Sequence, residues 1–342
     1  MINHRGRAEY AQVSLRRMIE RLSALLIAAA VIFPSAAGAE PDAWPGRPVH
    51  VIATSPPGGS VDLLARLAAE EFARSFGQPF VVENRPGANG NIGAEIVLKA
   101  PPDGHMFFVA PTGPFAINAQ LMARMPFDPE KDIAPVALLG VSPLLLVVHP
   151  SVPAHDVREL IAWMKAQHGR VDYASQAVAS TGHLAMELFK SMAGVEATHI
   201  PYKGSAAQAT ADLLAGRVSV SFVNTSTTIP YIRKGQLRAL AVAERRRLAV
   251  APEIPTVDES GLPGFEATTW IALGARAGTP PGIVARVNEA AARGLARPGT
   301  AERLARIGVE PRTLAPEDLA AFVRAETGKW GAIIRRSGAR VE

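Results

Sequence analysis

The chain contains no cysteine, and aromatic residues make up only 6% of its 342 residues. The absence of cysteine excludes a disulfide, a zinc site built on thiolates and a cysteine nucleophile. Long apolar runs are scarce too, because no segment reaches the roughly 20 apolar residues that a membrane-spanning helix needs. With 48% hydrophobic residues, a chain of this length can instead bury a core in each of about two domains.

Residues 1–39 have the pattern of a secretory signal peptide. Arginines precede an apolar run from Leu22 to Phe33, and small residues follow up to Ala39. A run of about 12 apolar residues is too short to span a membrane, so the segment is read as an export signal and not as an anchor. We expect cleavage after Ala39 and a soluble periplasmic protein.

Two features of this signal stay open. Translation can start at Met1 or at Met18, because the second methionine opens a well-formed signal by itself. The Arg16-Arg17 pair hints at twin-arginine export, but the residues that follow fit that route weakly and favour the general one.

The formal net charge of +5 and a pI near 9.7 raise the question of nucleic-acid binding. Residues 1–39 hold five basic and two acidic groups, so the rest of the chain has a net charge of only +2. The one dense basic run there, Arg245-Arg246-Arg247, has no interleaved aromatic residues and is typical of a solvated turn. We therefore expect no nucleic-acid partner.

From residue 48 onwards, short runs rich in Val and Ile alternate with helical patterns, which indicates an α/β fold with mostly parallel sheets flanked by helices. Ser60 and Asp156 are predicted N-caps, and Gly77 is a predicted helix stop. The predicted strands are 49–53, 80–83, 106–110, 171–174, 198–200, 218–222 and 270–274. The predicted helices are 61–76, 92–100, 157–168, 181–192, 206–215, 281–297 and 316–336.

The series of strands and helices starts a second time near His149, which predicts two lobes of similar construction. The first lobe is expected to comprise 40–146 and 270–342, and the second lobe 147–269. The chain would cross between the lobes twice, near Leu144–Val148 and Trp270–Gly274, and leave a cleft between them.

Two glycine-rich loops could approach a ligand. Pro56–Ser60 follows the first strand and precedes a helix, where backbone N–H groups favour an anion, although a tight turn alone would also need its glycines. Gly87–Gly93 lacks the G-x-G-x-x-G spacing of a dinucleotide site, and no Walker-type lysine follows either loop. We expect no cofactor.

No two of the eight histidines share metal-ligand spacing with a nearby carboxylate, so no metal site is expected. Ser180 and His183 leave a hydrolase as an alternative. Against it, the chain has no G-x-S-x-G elbow and no carboxylate placed to orient the imidazole. The simpler interpretation is that His183 packs or lines the cleft at a helix start.

Taken together, these segments resemble the receptor subunits of tripartite tricarboxylate transporters, also called the Bug family of periplasmic binding proteins. The match runs over essentially the whole mature chain. It is carried by Pro57-Gly58-Gly59-Ser60-Val61-Asp62, Val82 to Gly93, Ala100-Pro101-Pro102-Asp103-Gly104, His183-Leu184-Ala185 with Glu187-Leu188-Phe189, Pro201-Tyr202-Lys203-Gly204, Gly235 to Val242, Pro255-Thr256-Val257, Gly261-Leu262-Pro263-Gly264 and Gly278-Thr279-Pro280.

The resemblance implies a monomeric two-lobed binding protein of the type II kind, not an enzyme, that closes on a small organic carboxylate. It would deliver this ligand to a membrane permease of one large and one small subunit. A sensory receptor for a membrane kinase stays open, because both roles need the same closed form. The expected ligand-binding residues are Ser55, Pro57, Gly58, Gly59, Ser60, Asp62, Asn84, Thr112, Ser175, Ser180, Thr181, His183 and Asn224.

Three features depart from the family pattern around the expected pocket. The family usually has an apolar or aromatic residue where Ser55 stands, glycines where Ala177 and Ala179 stand, and often an aspartate where Val223 stands. Because alanine normally avoids glycine's special backbone angles, we expect the loop at Ala177–Ala179 to adopt ordinary ones. These departures leave the identity of the carboxylate open.

Overall fold

A computed structural model describes residues 44–122, 124–202 and 206–338 of the chain. The expected signal peptide and its cleavage site lie outside these residues. Within the described part, no helix is both long and apolar enough to cross a membrane.

The described residues form one mixed sheet of nine strands. Its strands are β1 (Val49–Ala53), β2 (Phe80–Asn84), β3 (Met106–Pro111), β4 (Ile133–Val148), β5 (Asp172–Ser175), β6 (Thr198–Pro201), β7 (Val220–Asn224), β8 (Arg238–Val242) and β9 (Thr268–Arg276).

Helices follow most of the strands, and a 3-10 turn at Ala88–Gly90 and a π-helical turn at Gly113–Ile117 add to them. The α-helices are α1 (Ser60–Phe76), α2 (Asn91–Lys99), α3 (Asn118–Leu121), α4 (Pro129–Asp132), α5 (Val157–Ala166), α6 (Thr181–Ala193), α7 (Ala206–Leu214), α8 (Thr225–Arg233), α9 (Pro281–Leu295), α10 (Thr300–Ala305) and α11 (Pro316–Ser337).

The strand order is β2-β1-β3-β9-β4-β7-β5-β6, with β8 also paired to β4. Each end of this order is a parallel trio, β2-β1-β3 and β7-β5-β6, whereas β4, β8 and β9 join by antiparallel pairing. The predicted α/β class with parallel strands, flanking helices and crossing strands is confirmed.

Strand β4 connects the two parallel trios. Residues 133–143 pair with β9, whereas residues 144–148 pair with β7 on one side and residues 145–148 pair with β8 on the other. The partners of β4 therefore change between Pro143 and Leu144, the region where the sequence predicts a crossover. Register shifts after Pro135 and Leu138 let this long strand tolerate its own proline and glycine residues.

Capping residues determine where several helices begin and end. Gly77 ends α1 in the left-handed conformation, and the Asp156 side chain accepts a hydrogen bond from the Glu159 N–H at the start of α5, as predicted. The prediction of Ser60 as an N-cap was wrong, because α1 includes Ser60 and is capped by Gly59. The physical reason is that Asp62 accepts the Gly58 N–H, which closes the turn one residue earlier.

The core has apolar layers on both parts of the sheet. Helix α9 packs on α1, so that Val287 and Ala290 share a cluster with Val51 and Leu64. Helix α11 packs on β4 and on the turn at 113–117. The C-terminal helices thus return to the first parallel trio and fix the position of β9 beside the loops described next.

Candidate functional site

A polar cavity lies where β5 and β7 end. Strand β5 ends at Ser175 and β7 ends at Asn224, and a helix start follows each of them. This is the position at which open α/β sheets collect ligands. The cavity is lined by Leu144, Ser175, Gln176, Thr181, Gly182, Ala206, Ala209, Thr210, Ser221, Phe222, Val223, Asn224, Thr227 and Thr269.

The cavity combines predicted and unpredicted residues. Of the expected ligand-binding residues, Ser175, Thr181 and Asn224 line it. Gln176 lies in the loop from Ser175 to Thr181, onto which the family resemblance maps a binding loop. Sequence reasoning missed five further polar or glycine positions, although the rule that ligands collect after strand ends could have found those next to β5 and β7. The missed positions are Gly182, Thr210, Ser221, Thr227 and Thr269.

The start of α6 offers unpaired hydrogen-bond donors to this cavity. Thr181 and Gly182 are the first two helical residues, and helix geometry leaves their N–H groups without a carbonyl partner in the helix. The next N–H, from His183, is satisfied by Ser180 Oγ at 3.3 Å, which confirms the predicted start of this helix. The free donors therefore belong to the two residues that line the cavity.

Some of the other polar side chains that line the cavity already have a hydrogen-bond partner in the protein, and others have none. The hydroxyls of Thr210, Ser221 and Thr227 donate to the backbone carbonyls of Ala206, Ala174 and Asn224. Within the described part of the chain, the side-chain amides of Gln176 and Asn224 make no hydrogen bond. These two amides can donate to a guest together with the start of α6.

The loop before α6 is held by its own hydrogen bonds. The carbonyl of Ala177 accepts from Ser175 Oγ at 2.8 Å and from Ser180 Oγ at 2.9 Å. Ala179 adopts φ +64°, in the left-handed region. The expectation of ordinary backbone angles for this loop was therefore wrong at Ala179, because the Ala179 N–H finds a buried acceptor in His183 Nδ1 at 2.9 Å.

A stack of three rings, of which Tyr173 and His183 are buried and His199 is partly exposed, packs against this loop. The His183 and His199 rings lie 3.9 Å apart and 7° from parallel, and the ring of Tyr173 stacks at 4.9 Å on His199. His199 Nε2 lies 2.6 Å from Ser175 Oγ, and the Tyr173 hydroxyl donates to Glu187 at 2.7 Å. Burial lowers the pKa of His183 to about 4 and that of His199 to about 3, so both rings are neutral near pH 7.

Ser180 and His183 do not form a pair of nucleophile and base. The Ser180 hydroxyl donates to the Ala177 carbonyl, and His183 Nδ1 is occupied by the Ala179 N–H. The other ring nitrogen, Nε2, lies 3.9 Å from the nearest Glu187 oxygen. A general base must reach the hydroxyl that it activates, and His183 is directed elsewhere.

The predicted glycine loop, Pro56–Ser60, lies outside the cavity lining and is solvent-exposed over Pro56–Gly59. The carboxylate of Asp62 accepts from Gly58 N at 2.9 Å and from Asn84 Nδ2 at 2.9 Å. Burial alone would raise the pKa of Asp62, but these bonds and one from Arg66 hold it below its ordinary value. Asp62 and Asn84 therefore use these polar atoms to hold the loop.

Ser55 and Thr112 are the remaining expected ligand-binding residues of the first lobe. Ser55 Oγ donates to the neighbouring Pro56 carbonyl at 3.3 Å. Thr112 is fully buried, and its hydroxyl bridges the backbone N–H and carbonyl of Trp270, the residue after cavity-lining Thr269. Thr112 thus fixes β9 beside the cavity. Within the described residues, no group of three His, Asp or Glu side chains could hold a metal ion.

Comparison with known proteins gives a consistent set of relatives. A family model described as "Tripartite tricarboxylate transporter family receptor" matches residues 64–339. Protein BugT of Bordetella pertussis is 34% identical over 331 residues, which cover 96% of this chain and 100% of BugT.

Solved structures agree with these sequence matches. R. palustris Rpa4515 with adipate is 38% identical with a TM-score of 0.77, and the match covers 87% of this chain and 100% of that chain. MatC (Rpa3494) from Rhodopseudomonas palustris with bound malate is 32% identical with a TM-score of 0.72, covering 85% of this chain and 100% of that chain.

The family match spans most of the described sheet and the cavity that it carries. The relatives are binding receptors and not enzymes, so the resemblance stated from the sequence is confirmed and the hydrolase alternative is set aside. The chain belongs to the tripartite tricarboxylate transporter family of receptors.

Proposed function

We propose that this chain is a periplasmic receptor that captures a small dicarboxylate and delivers it to a tripartite tricarboxylate-type permease. The observation that carries the proposal is the uncharged cavity lined by Thr181 and Gly182, whose N–H groups have no carbonyl partner within the helix. Among the described residues that line this cavity, none carries a charge. Neutral, oriented donors are suited to a carboxylate.

The cavity is sized for a head group. Its volume is about 30 Å³, enough for a few atoms and too small for a whole dicarboxylate. One carboxylate would sit in the cavity, while the rest of the ligand would extend into the cleft. The glycine loop at Pro57–Ser60, with the start of α1, is the proposed partner of the far end.

Helix starts alone would bind such a ligand weakly. A helix N-terminus contributes about 0.3 to 1 kcal/mol to an anion, and up to about 2 when partly buried, whereas micromolar binding needs about 8 kcal/mol. The amides of Gln176 and Asn224 and the burial of the ligand on closure are proposed to supply the remainder.

Two relatives support the proposed ligand class. One related structure holds adipate and another holds malate, so both are short dicarboxylates. Val223 stands in the cavity lining where the family often has an aspartate, which leaves the site without a negative charge at that point. We therefore propose a dicarboxylate of about this length as the ligand.

Closure of two lobes is proposed as the signal to the permease. The lobes would comprise 40–146 with 270–342 and 147–269, and would rotate about the crossing strands β4 and β9. Ligand binding would shift the population towards the closed form. The export signal at residues 1–39 would place this monomeric receptor in the periplasm, where the large and small permease subunits can receive the ligand.

Calorimetric titration with adipate and malate tests the proposal. We expect at least one of them to bind the wild-type protein, and Gly182→Ala to weaken that binding at least tenfold. A Cβ at Gly182 would lie 2.6 Å from the Phe222 carbonyl oxygen, so the start of α6 must move away from β7. Gly282→Ala is the matched control, because Gly282 is also the second residue of its helix and a Cβ there meets nothing within 4 Å.

The titration has two contradicting outcomes. If neither dicarboxylate bound and the protein instead preferred an uncharged or cationic solute, the proposed ligand class would be wrong. If adipate or malate bound equally well to the wild type and to a folded Gly182→Ala variant, the cavity would not be the carboxylate site.

A further inference from the structure

Ala179 has an unusual backbone conformation for its residue type. Its φ of +64° lies in the left-handed region, which residues with a Cβ rarely adopt outside tight turns. It directly precedes Ser180, the N-cap of α6, so its conformation sets the direction in which the helix starts. A specific contact is needed to hold it there.

His183 provides that contact. Its Nδ1 accepts the Ala179 N–H at 2.9 Å, and both residues are buried, with 1% of Ala179 and 6% of His183 exposed. An accepting nitrogen carries no proton, so the neutral ring has its proton on Nε2, on the side of Glu187. This hydrogen bond therefore links the first turn of α6 to the loop that leads into it.

The imidazole is itself held in place. His199 stacks on it at 3.9 Å and contacts Ser175 at the other end of the same loop. The ring of Tyr173 lies beyond His199, and its hydroxyl is held by Glu187. The ring stack thus supports both ends of the segment 175–180 that borders the cavity.

We propose that His183 is a positioning residue that holds Ala179 in its left-handed conformation and so directs the free N–H groups of Thr181 and Gly182 at the ligand carboxylate. This role rests on the proposed function of the cavity. It replaces the expected direct contact of His183 with the ligand, because the imidazole is buried behind the loop and does not line the cavity.

The charge state of the ring fits this role. The groups that face it are Glu187 and Lys190 on its own helix, His199 on β6 and Tyr173 on β5. Burial lowers the pKa of His183 to about 4, against the opposing influence of Glu187. The ring therefore keeps its accepting nitrogen over the range from pH 6 to 8, and ligand affinity should not change there through this residue.

A double-mutant cycle tests the positioning role. Dicarboxylate affinity is measured by calorimetry for the wild type, Ala179→Gly, His183→Ala and the double variant. Glycine adopts a positive φ without a Cβ penalty, so it should keep the loop conformation without the imidazole. We expect His183→Ala to weaken binding at least tenfold in the wild-type background, and at most threefold in the Ala179→Gly background.

A conservative variant gives an independent check. His183→Asn places an oxygen close to the position of Nδ1, and we expect it to restore most of the affinity lost in His183→Ala. His155→Ala, at an exposed histidine, is the control and should leave affinity unchanged. Equal losses from His183→Ala in both backgrounds, or no rescue by asparagine, would overturn the proposal and leave His183 a packing residue.

Amide hydrogen exchange separates this inference from the proposed ligand. Without ligand, the Ala179 amide should be protected in the wild type and in His183→Asn, and unprotected in His183→Ala. If no dicarboxylate binds, the proposed function fails while this exchange pattern still decides whether His183 holds Ala179. If the Ala179 amide stayed protected in a folded His183→Ala variant, the proposal that His183 holds Ala179 would be refuted.

Discussion

Replacing Glu326 with alanine is expected to lower the free energy of unfolding by about 2 to 6 kcal/mol. Glu326 Oε2 accepts from Trp270 Nε1 and from Trp330 Nε1, each at 2.9 Å, and all three residues are buried. Removing the carboxylate leaves two buried indole N–H groups unpaired, and each costs about 1 to 3 kcal/mol. The bond from Trp270 also ties α11 to β9, whereas the bond from Trp330 lies within α11, so part of the loss acts on the strand beside the cavity.

Urea unfolding followed by tryptophan fluorescence measures this loss. Lys329→Ala is the matched control, because Lys329 also contacts Glu326 but is partly exposed and leaves both indoles paired. We expect the control to cost less than Glu326→Ala, because the carboxylate keeps both of its indole bonds. A Glu326→Ala variant as stable as the Lys329→Ala variant would show that the two indole bonds contribute little to the free energy of unfolding.

The free energy of unfolding is also expected to fall by about 3 to 5 kcal/mol between pH 7 and pH 4 through His183 and His199. Burial lowers the pKa values of these rings to about 4 and about 3, from 6.5 for an exposed histidine. The unfolded chain therefore takes up protons below pH 6.5 while the folded protein resists them until about pH 4. One pKa unit is worth about 1.4 kcal/mol, and the partial exposure of His199 reduces its share.

Urea unfolding at pH 7, 6, 5 and 4 tests this linkage. His183→Asn removes one of the two titrating groups and should flatten the dependence on pH by about half. The exposed His155→Ala variant should follow the wild type. An unchanged dependence in His183→Asn would mean that carboxylates, and not the buried histidines, control acid stability.

Much of the fold could be predicted from the sequence where local signals decide it. Strand β1 and the starts of α5 and α6 agree with prediction, because an apolar run, Asp156 and Ser180 act within a few residues of themselves. The first half of β4 was missed. It contains Pro135 and Gly140, which disfavour a strand locally, and only pairing with the distant β9 with register shifts makes it one.

The site was less predictable for the same physical reason. Ser175 and Asn224 follow predicted strands, whereas Thr269 reaches the cavity only because β9 pairs with β4 far away in sequence. The sequence around Thr210 and Thr227 has no motif that distinguishes these two threonines from the others in the chain. The wrong expectation for Ala179 has a different origin, since the acceptor of its N–H lies only four residues away, on His183, and residue type alone does not show that bond.

The glycine loop Pro56–Ser60 has a narrower proposed role in the structure than in the sequence. Asp62 and Asn84 hold its shape, and its exposed residues are free to meet the far end of a ligand. We propose that the first carboxylate binds instead in the cavity at the start of α6. The sequence alone could not assign these separate roles to the two sites. No local pattern shows that the start of α6 lines a cavity whereas the loop before α1 is exposed.

A crystal structure of the protein with bound adipate tests this assignment most directly. The account predicts one carboxylate in the cavity, with an oxygen within about 3.2 Å of the backbone nitrogen of Thr181 or Gly182, and the second carboxylate near Pro57–Ser60. It would be contradicted by an adipate whose carboxylates both lie outside the cavity, with the start of α6 bonded only to solvent.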